Sequence, residues 1–206
     1  MNRKIWKALG IAVCMLALAA PRAMAKTYEV GTEDKFAEAV QEINKKSSDT
    51  ENEIVLMQDI TLGGDPTQYT LYTLSRGETT IKGGGNKITI SNAGITVAKK
   101  GTVLNLGEKG YKGTLTIDGK TSGGFVSVLE GATANMYENV TLQNRQQVDQ
   151  ACVVLEENSV FNMHGGVIQN CKGKYGGVSL KNGSRFIMEG GTISECSASE
   201  GGGLYA

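Results

Sequence analysis

From Ile54 onward, apolar and polar positions alternate in short runs: EIVLMQDITL, TTIKGGGNKITI, GITVAKKGTVLNL and GTLTIDG, each broken by Gly, Asn, Asp or Lys. A period of two with β-branched residues at the apolar positions predicts short strands. Upstream the period changes. In TEDKFAEAVQEINKK, Phe36, Ala39, Val40 and Ile43 share one helical face. Thr32 suits the N-cap, Glu33 and Asp34 the first turn, and Lys45 and Lys46 the last. One helix over about 33–46, then strands alone, is the expected order.

The strands repeat. FNMHGGVIQNCKGKYGGVSL (161–180) is answered by FIMEGGTISECSASEGGGLY (186–205). An offset of 25 carries Val153 to Val178, Leu155 to Leu180, Met163 to Met188 and Cys171 to Cys196. An offset of 27 backwards carries Val153 to Val126, Phe161 to Ala134 and Met163 to Met136. Periods of about 20–50 residues mark repeat architectures, and this unit is too short for a propeller blade and lacks the helices of ankyrin, TPR or leucine-rich repeats. The sequence therefore predicts an all-β chain, a right-handed parallel β-helix in which each repeat is one coil and equivalent residues lie ~4.8 Å apart. Val126, Val153 and Val178 then form one inward column, and Met136, Met163 and Met188 another. Polar residues between the inward ones, such as Ser179 and Arg185, argue against a doubly wound sheet, whose strands are buried on both faces.

This pattern resembles the exported β-helix repeat proteins of bacteria, of the pectin-lyase-like or adhesin-like kind. The residues that carry the resemblance are the amphipathic FAEAVQEIN, then EIVLMQDITL and TTIKGGGNKITI as first coils, then repeats of the GSRFIMEGGTIS type. The resemblance implies that the helix caps the N-terminal end of the coil stack and so buries Phe36, Val40 and Ile43. It implies no single activity, because lyases, hydrolases and adhesins share the fold.

The chain opens MNRKIWKALGIAVCMLALAAPRAMAK, where Arg3, Lys4 and Lys7 precede an apolar run and a small-x-small site at Ala23–Ala25. This is the layout of a secretory signal peptide over 1–25, followed by an N-terminal cap over 26–50 and coils over 51–206. No later run is long enough for a membrane helix, so the expected location is secreted or at the cell surface. The chain ends SEGGGLYA, where Gly202, Gly203 and Leu204 match Gly176, Gly177 and Val178, so a further coil begins there; the expectation is an incomplete C-terminal end.

The chain balances 21 basic against 21 acidic residues, and loss of Arg3, Lys4, Lys7 and Arg22 with the leader leaves −4. That balance excludes a nucleic-acid partner of the basic-patch kind. Glycine, at 28 of 206 residues, is about twice its usual share while proline is scarce, which suits turns between strands rather than a disordered linker. Past the leader, Cys152, Cys171 and Cys196 remain. Cys171 and Cys196 fall in one column within Cα reach of a bond, yet in-register side chains point the same way. The sequence leaves their bonding open and favours small buried thiols.

Stacking turns sequence offsets into distances. Tyr137, His164 and Glu189 share one outward offset, with the chain's one histidine at the centre, so His164 is a candidate general base held by Glu189. Glu130 and Glu157, 27 apart, imitate the carboxyl pair of a retaining glycosidase but sit on turns, where acidic residues are ordinarily solvated. A calcium-dependent lyase needs converging carboxylates; Asp118 stands largely alone, and neither metal nor cofactor is called for. Gln143, Asn144, Arg145, Asn170 and Lys172 form a ribbed face suited to glycan or a host or cell-surface protein. The expected function is a non-enzymatic, adhesin-like binding module, with a polysaccharide-active lyase or hydrolase, its active-site coils lying past Ala206, as the alternative.

Overall fold

The computed structural model describes residues 25–46, 50–119, 125–146 and 150–206. The expected leader therefore lies outside the described residues, Ala25 excepted. Strand β1 (Lys26–Val30) and helix α1 (Glu33–Asn44) precede six coils. The first is β2 (Glu51–Leu56), β3 (Ile60–Leu62) and β4 (Thr70–Leu74); the second is β5 (Glu78–Lys82), β6 (Lys87–Ile90) and β7 (Ala93–Val97). The third is β8 (Val103–Leu106), β9 (Leu115–Gly119) and β10 (Val126–Val128); the fourth is β11 (Thr133–Met136), β12 (Val140–Gln143) and β13 (Val153–Leu155). The fifth is β14 (Val160–Met163), β15 (Val167–Gln169), β16 (Lys172–Gly173) and β17 (Val178–Leu180). The sixth is β18 (Arg185–Met188), β19 (Thr192–Ser194), β20 (Ser197–Ala198) and β21 (Leu204–Tyr205).

The strand pairings are parallel and run between coils, which makes the chain an all-β parallel solenoid. Three sheets run along the stack: a first of order β1-β2-β5-β8-β11-β14-β18, a second of order β3-β6-β9-β12-β15-β19, and a third of order β4-β7-β10-β13-β17-β21. The sequence offsets are the hydrogen-bonded register. Val126 pairs with Val153 and Val153 with Val178, while Met136 pairs with Met163 and Met163 with Met188. Like side chains therefore pack on like between the sheets: Ile88, Ile117, Leu142 and Ile168 make one buried column of the second sheet. In the sixth coil the inward residues open to solvent, with Met188 at 46% and Leu204 at 47% exposure.

Two corners show why the glycine pairs are held. Gly166 and Gly191 have φ of 84° and 86°, a region that suits glycine. A Cβ on Gly166 would also lie 2.5 Å from the Val140 carbonyl oxygen, and one on Gly191 2.5 Å from that of Gly166.

Helix α1 buries Phe36, Ala39, Val40 and Ile43 and packs on β1, β2, β3 and β4, that is, on the first strands of all three sheets. It ends at Asn44, so Lys45 is its C-cap rather than part of the last turn. The two helix ends are pinned to the first coil. At the C-terminus Asn44 donates from Nδ2 to the Thr73 carbonyl at 2.7 Å and accepts from the Ser75 amide at 2.9 Å. At the N-terminus the Glu33 carboxylate accepts from the Gly63 amide at 2.6 Å, the Gly64 amide at 3.3 Å and the Tyr72 hydroxyl at 2.5 Å.

Burial alone would raise the Glu33 pKa, but the Tyr72 hydroxyl and the two amides outweigh it and hold the carboxyl below its usual range. The folded pKa is depressed, so the stabilisation is complete above the unfolded value, about 4.3, and is lost as pH falls through the folded one. Stability of the Glu33→Gln variant is expected to fall less steeply than wild type below that unfolded value. Urea midpoints measured at a series of acidic pH values check this; parallel curves for the two proteins would refute it.

Candidate functional site

The three outward faces differ in what they offer. On the third sheet, Thr96, Val154 and Ser179 alternate with inward residues yet are only 2%, 7% and 8% exposed. The Tyr175 ring, from the loop after β16, also packs on Tyr205 of β21 with centroids 4.5 Å apart. That face is largely covered, although Leu71 at its first strand is exposed and Thr73 and Ser127 are half-buried. The first and second sheets keep partly exposed polar residues facing out.

On the second sheet the outward residues form a ladder of side-chain amides. Gln169 donates to Gln143 at 2.9 Å, and Gln143 donates to the Asp118 carboxylate at 2.8 Å. At the adjoining corner Asn170 donates to Asn144 at 2.7 Å, and Asn144 donates to the same Asp118 oxygen at 3.1 Å. Asp118 thus terminates two ladders of amides, and among the described residues no other carboxylate takes part in them. Asn144 and Asn170 have φ of 62° and 51°, a conformation that asparagine tolerates. Arg145 does not share this face. It is 1% exposed and donates to the Gln150 carbonyl at 2.6 Å, and burial pulls its pKa down to about 10. Lys172 lies one coil on, exposed on β16, its amide bonded to the Arg145 carbonyl at 2.6 Å.

On the first sheet, Thr80, Asn105, Asn135 and Asn162 are outward neighbours in successive coils. Asn162 donates to Asn135 at 2.8 Å, Asn135 to Asn105 at 2.7 Å, and Asn105 to the Glu78 carboxylate at 2.7 Å. Each amide so polarised strengthens the next. Beside this ladder runs the column that contains the candidate base. Tyr137 and His164 stack with centroids 5.1 Å apart and planes at 26°, and His164 Nδ1 lies 2.6 Å from Glu189 Oε2. An ionised carboxylate only accepts, so Nδ1 is the donor in this hydrogen bond. The structure brings these three residues together as their offsets imply, partly exposed: the His164 and Glu189 side chains are 31% and 61% accessible.

A slot of about 290 Å³ opens on this face above Tyr137. Its lining includes Glu53, Glu78, Asn105, Gly107, Glu108 and Tyr137. Burial, then the charges of Glu78, Glu108 and Glu138, push the Tyr137 hydroxyl pKa up. Lys82 bridges two of the carboxylates, with Nζ 2.8 Å from both Glu53 and Glu108.

Glu130 and Glu157 line another, wider depression of about 1060 Å³ at the turns between the third and first sheets. They hold equivalent places, because the flanking strands keep the 27-residue register, Val128 with Leu155 and Thr133 with Val160, but the two turns differ in backbone conformation. Glu130 and Gly131 have φ of 50° and 74°, whereas in the next coil the positive value, 60°, falls on Asn158 after Glu157. The neighbouring Glu156 pairs with Lys181 at 2.7 Å.

The cysteines depart from expectation. Cys171 bonds to Cys152, with Cα atoms 6.0 Å apart, and among the described residues Cys196 is the free thiol, half-buried and with its pKa pushed up by that burial. The bond runs across a corner, where the side chains converge, rather than along the column, where they are parallel. Because Val153 pairs with Val178, the position equivalent to Cys152 one coil on is Gly177, and a Cβ there would lie 3.4 Å from Cys196 Sγ. Cys196 lacks a partner because that position is glycine. Among the described residues no group of His, Cys, Asp and Glu is arranged to hold a metal ion, and no helix is long and apolar enough to cross a membrane. Comparison with protein-family models, with curated proteins and with solved structures gives no match, so the fold and these faces carry the functional argument.

Proposed function

We propose that this chain is an exported, non-enzymatic β-solenoid module, adhesin-like, that binds glycan along the outward face of its first sheet. The observation that carries the reading is the pairing of the Asn105–Asn135–Asn162 amide ladder with the Tyr137–His164–Glu189 column. Rigid amides at one-coil spacing offer oriented donors and acceptors to sugar hydroxyls, and preorganisation lowers the cost of binding. Export is supported by the leader pattern and by the Cys152–Cys171 bond, which suits an oxidising compartment. Kinship with the bacterial pectin-lyase-like superfamily, and its right-handed coil, belong to the same proposal.

Binding of the purified chain from Lys26 to a glycan panel tests this. Asn135→Ala, which breaks the ladder at its centre, is expected to weaken the best glycan about fivefold, near the loss of one or two hydrogen bonds. Capture of proteins alone, with no glycan bound, would overturn the glycan assignment. The second reading, a polysaccharide-active lyase or hydrolase, draws on the His164–Glu189 hydrogen bond, which orients a proton acceptor. New reducing ends released from a polysaccharide panel, and abolished by His164→Ala, would replace binding with catalysis.

A further inference from the structure

We propose that the slot above Tyr137 is a binding site for an organic ammonium group, which the ring face and surrounding carboxylates recognise together. This rests on the glycan-face reading and narrows it to amine-bearing ligands.

The slot exists because one side chain is missing from a column. The register of the first sheet continues past its strands through Lys82, Gly107, Tyr137, His164 and Glu189: the Gly107 amide bonds to the Ile81 carbonyl and the Tyr137 amide to that of Leu106. One face of the Tyr137 ring is covered by His164. The other looks toward Gly107, which puts no side chain over it; a Cβ there would meet Val140 Cγ2 at 2.8 Å and Tyr137 Cβ at 3.7 Å. Lys82, the next residue of the column, does not fill the gap, because its ammonium is tied to Glu53 and Glu108. Tyr137 therefore lines the cavity from the side of the column away from His164.

The charge around that face selects the ligand. Glu51, Glu53, Glu78 and Glu108 line the slot against Lys109 and against the α-ammonium that a chain beginning at Lys26 carries where Ala25 stands, with Lys82 already bridging two of the carboxylates. The excess is negative, which repels uronates and other acidic sugars. Glu78 and Glu108 are near enough to act on the Tyr137 hydroxyl. An ammonium laid on a ring face beside carboxylates gains both attractions at once. Its source is an amino sugar within a glycan or a free aliphatic amine.

Three probes separate these: a glucosamine hexamer, the same hexamer N-acetylated, and cadaverine, titrated by calorimetry in mildly acidic buffer where the amines are protonated and the glutamates ionised. The glucosamine hexamer and cadaverine are expected to bind, more weakly as salt is added, with the N-acetylated hexamer at least tenfold weaker. Tyr137→Leu and Glu78→Gln should each weaken the glucosamine hexamer about tenfold without moving the unfolding midpoint. Glu78→Gln keeps an acceptor for Asn105, so it serves as the control should Tyr137→Leu disturb the stack. Equal affinity for the acetylated and free hexamers would overturn the ammonium assignment and leave the glycan reading standing. Binding of cadaverine with neither hexamer would support the slot and overturn the glycan reading. Undiminished binding in both variants, or no binding by any probe, would overturn the slot.

Discussion

Replacing Phe36 by alanine is expected to cost about 3–5 kcal/mol of stability, the range for losing a fully buried phenylalanine. Phe36 is 0% exposed and meets the Tyr72 ring edge-on at 5.2 Å. Its loss is amplified by position. Helix α1 lies over the first strands of all three sheets, so a cavity beneath it opens the end of the columns that begin with Tyr28, Leu62 and Leu74. A solenoid coil is stabilised chiefly by its neighbours, so damage at one end appears as fraying from that end. Hydrogen exchange should therefore rise first in β1 to β4, while amides of β12 to β15 keep their protection. Urea unfolding gives the total loss, with exposed Lys35→Ala, expected within about 0.5 kcal/mol of wild type, as reference. A loss under about 1 kcal/mol for Phe36→Ala would mean that the helix does not close the core.

The helix and the coils were legible because each rests on a periodic pattern. Phe36, Ala39, Val40 and Ile43 recur at helical spacing, and Met136, Met163 and Met188 recur at coil spacing; both sets are where the pattern places them, although Met188 is open to solvent. The Tyr137–His164–Glu189 column was readable for the same reason. What escaped is non-periodic or lies across the axis. Arg145 sits between surface residues in sequence, yet the corner turns it inward, where its chain supplies bulk and its guanidinium reaches the Gln150 carbonyl. The asparagine ladder was hidden by one longer coil: Asn105 to Asn135 is 30 residues, outside the 25 to 27 that relate the later coils, so the offsets read from those coils do not reach Asn105. The slot above Tyr137 depends on an absent side chain at Gly107, which carries no signal in a glycine-rich sequence until its column neighbours are known.

The Cys152–Cys171 bond is the other feature with a large expected effect, because it closes a hoop around the coil axis. Between the two cysteines, 19 residues apart, the chain passes through β13 of the third sheet, β14 of the first and β15 of the second. The bond then joins the end of that circuit to its start, one coil apart, and fixes the pitch between the fourth and fifth coils. A loop of this length restrains the unfolded chain by about 3 kcal/mol, and the observed range for such bonds is about 2–4. Cys152→Ala with Cys171→Ala, or reduction of the wild type, is expected to lower Tm by about 6–12 °C for a chain of this size. Loosening should appear in β14 to β21, since β14 and β15 lie within the closure, the later strands follow it, and the inward residues of the last coil are already open. Thiol counting on the chain from Lys26 onward separates this from a packing effect. Denatured without reductant, it should present one reactive thiol, Cys196; after reduction it should present three. Native Cys196 should react slowly, its thiol half-buried and its pKa raised. Three thiols in the unreduced, denatured chain would mean that no bond closes the hoop, and the pitch of these coils would then rest on hydrogen bonds and side-chain packing.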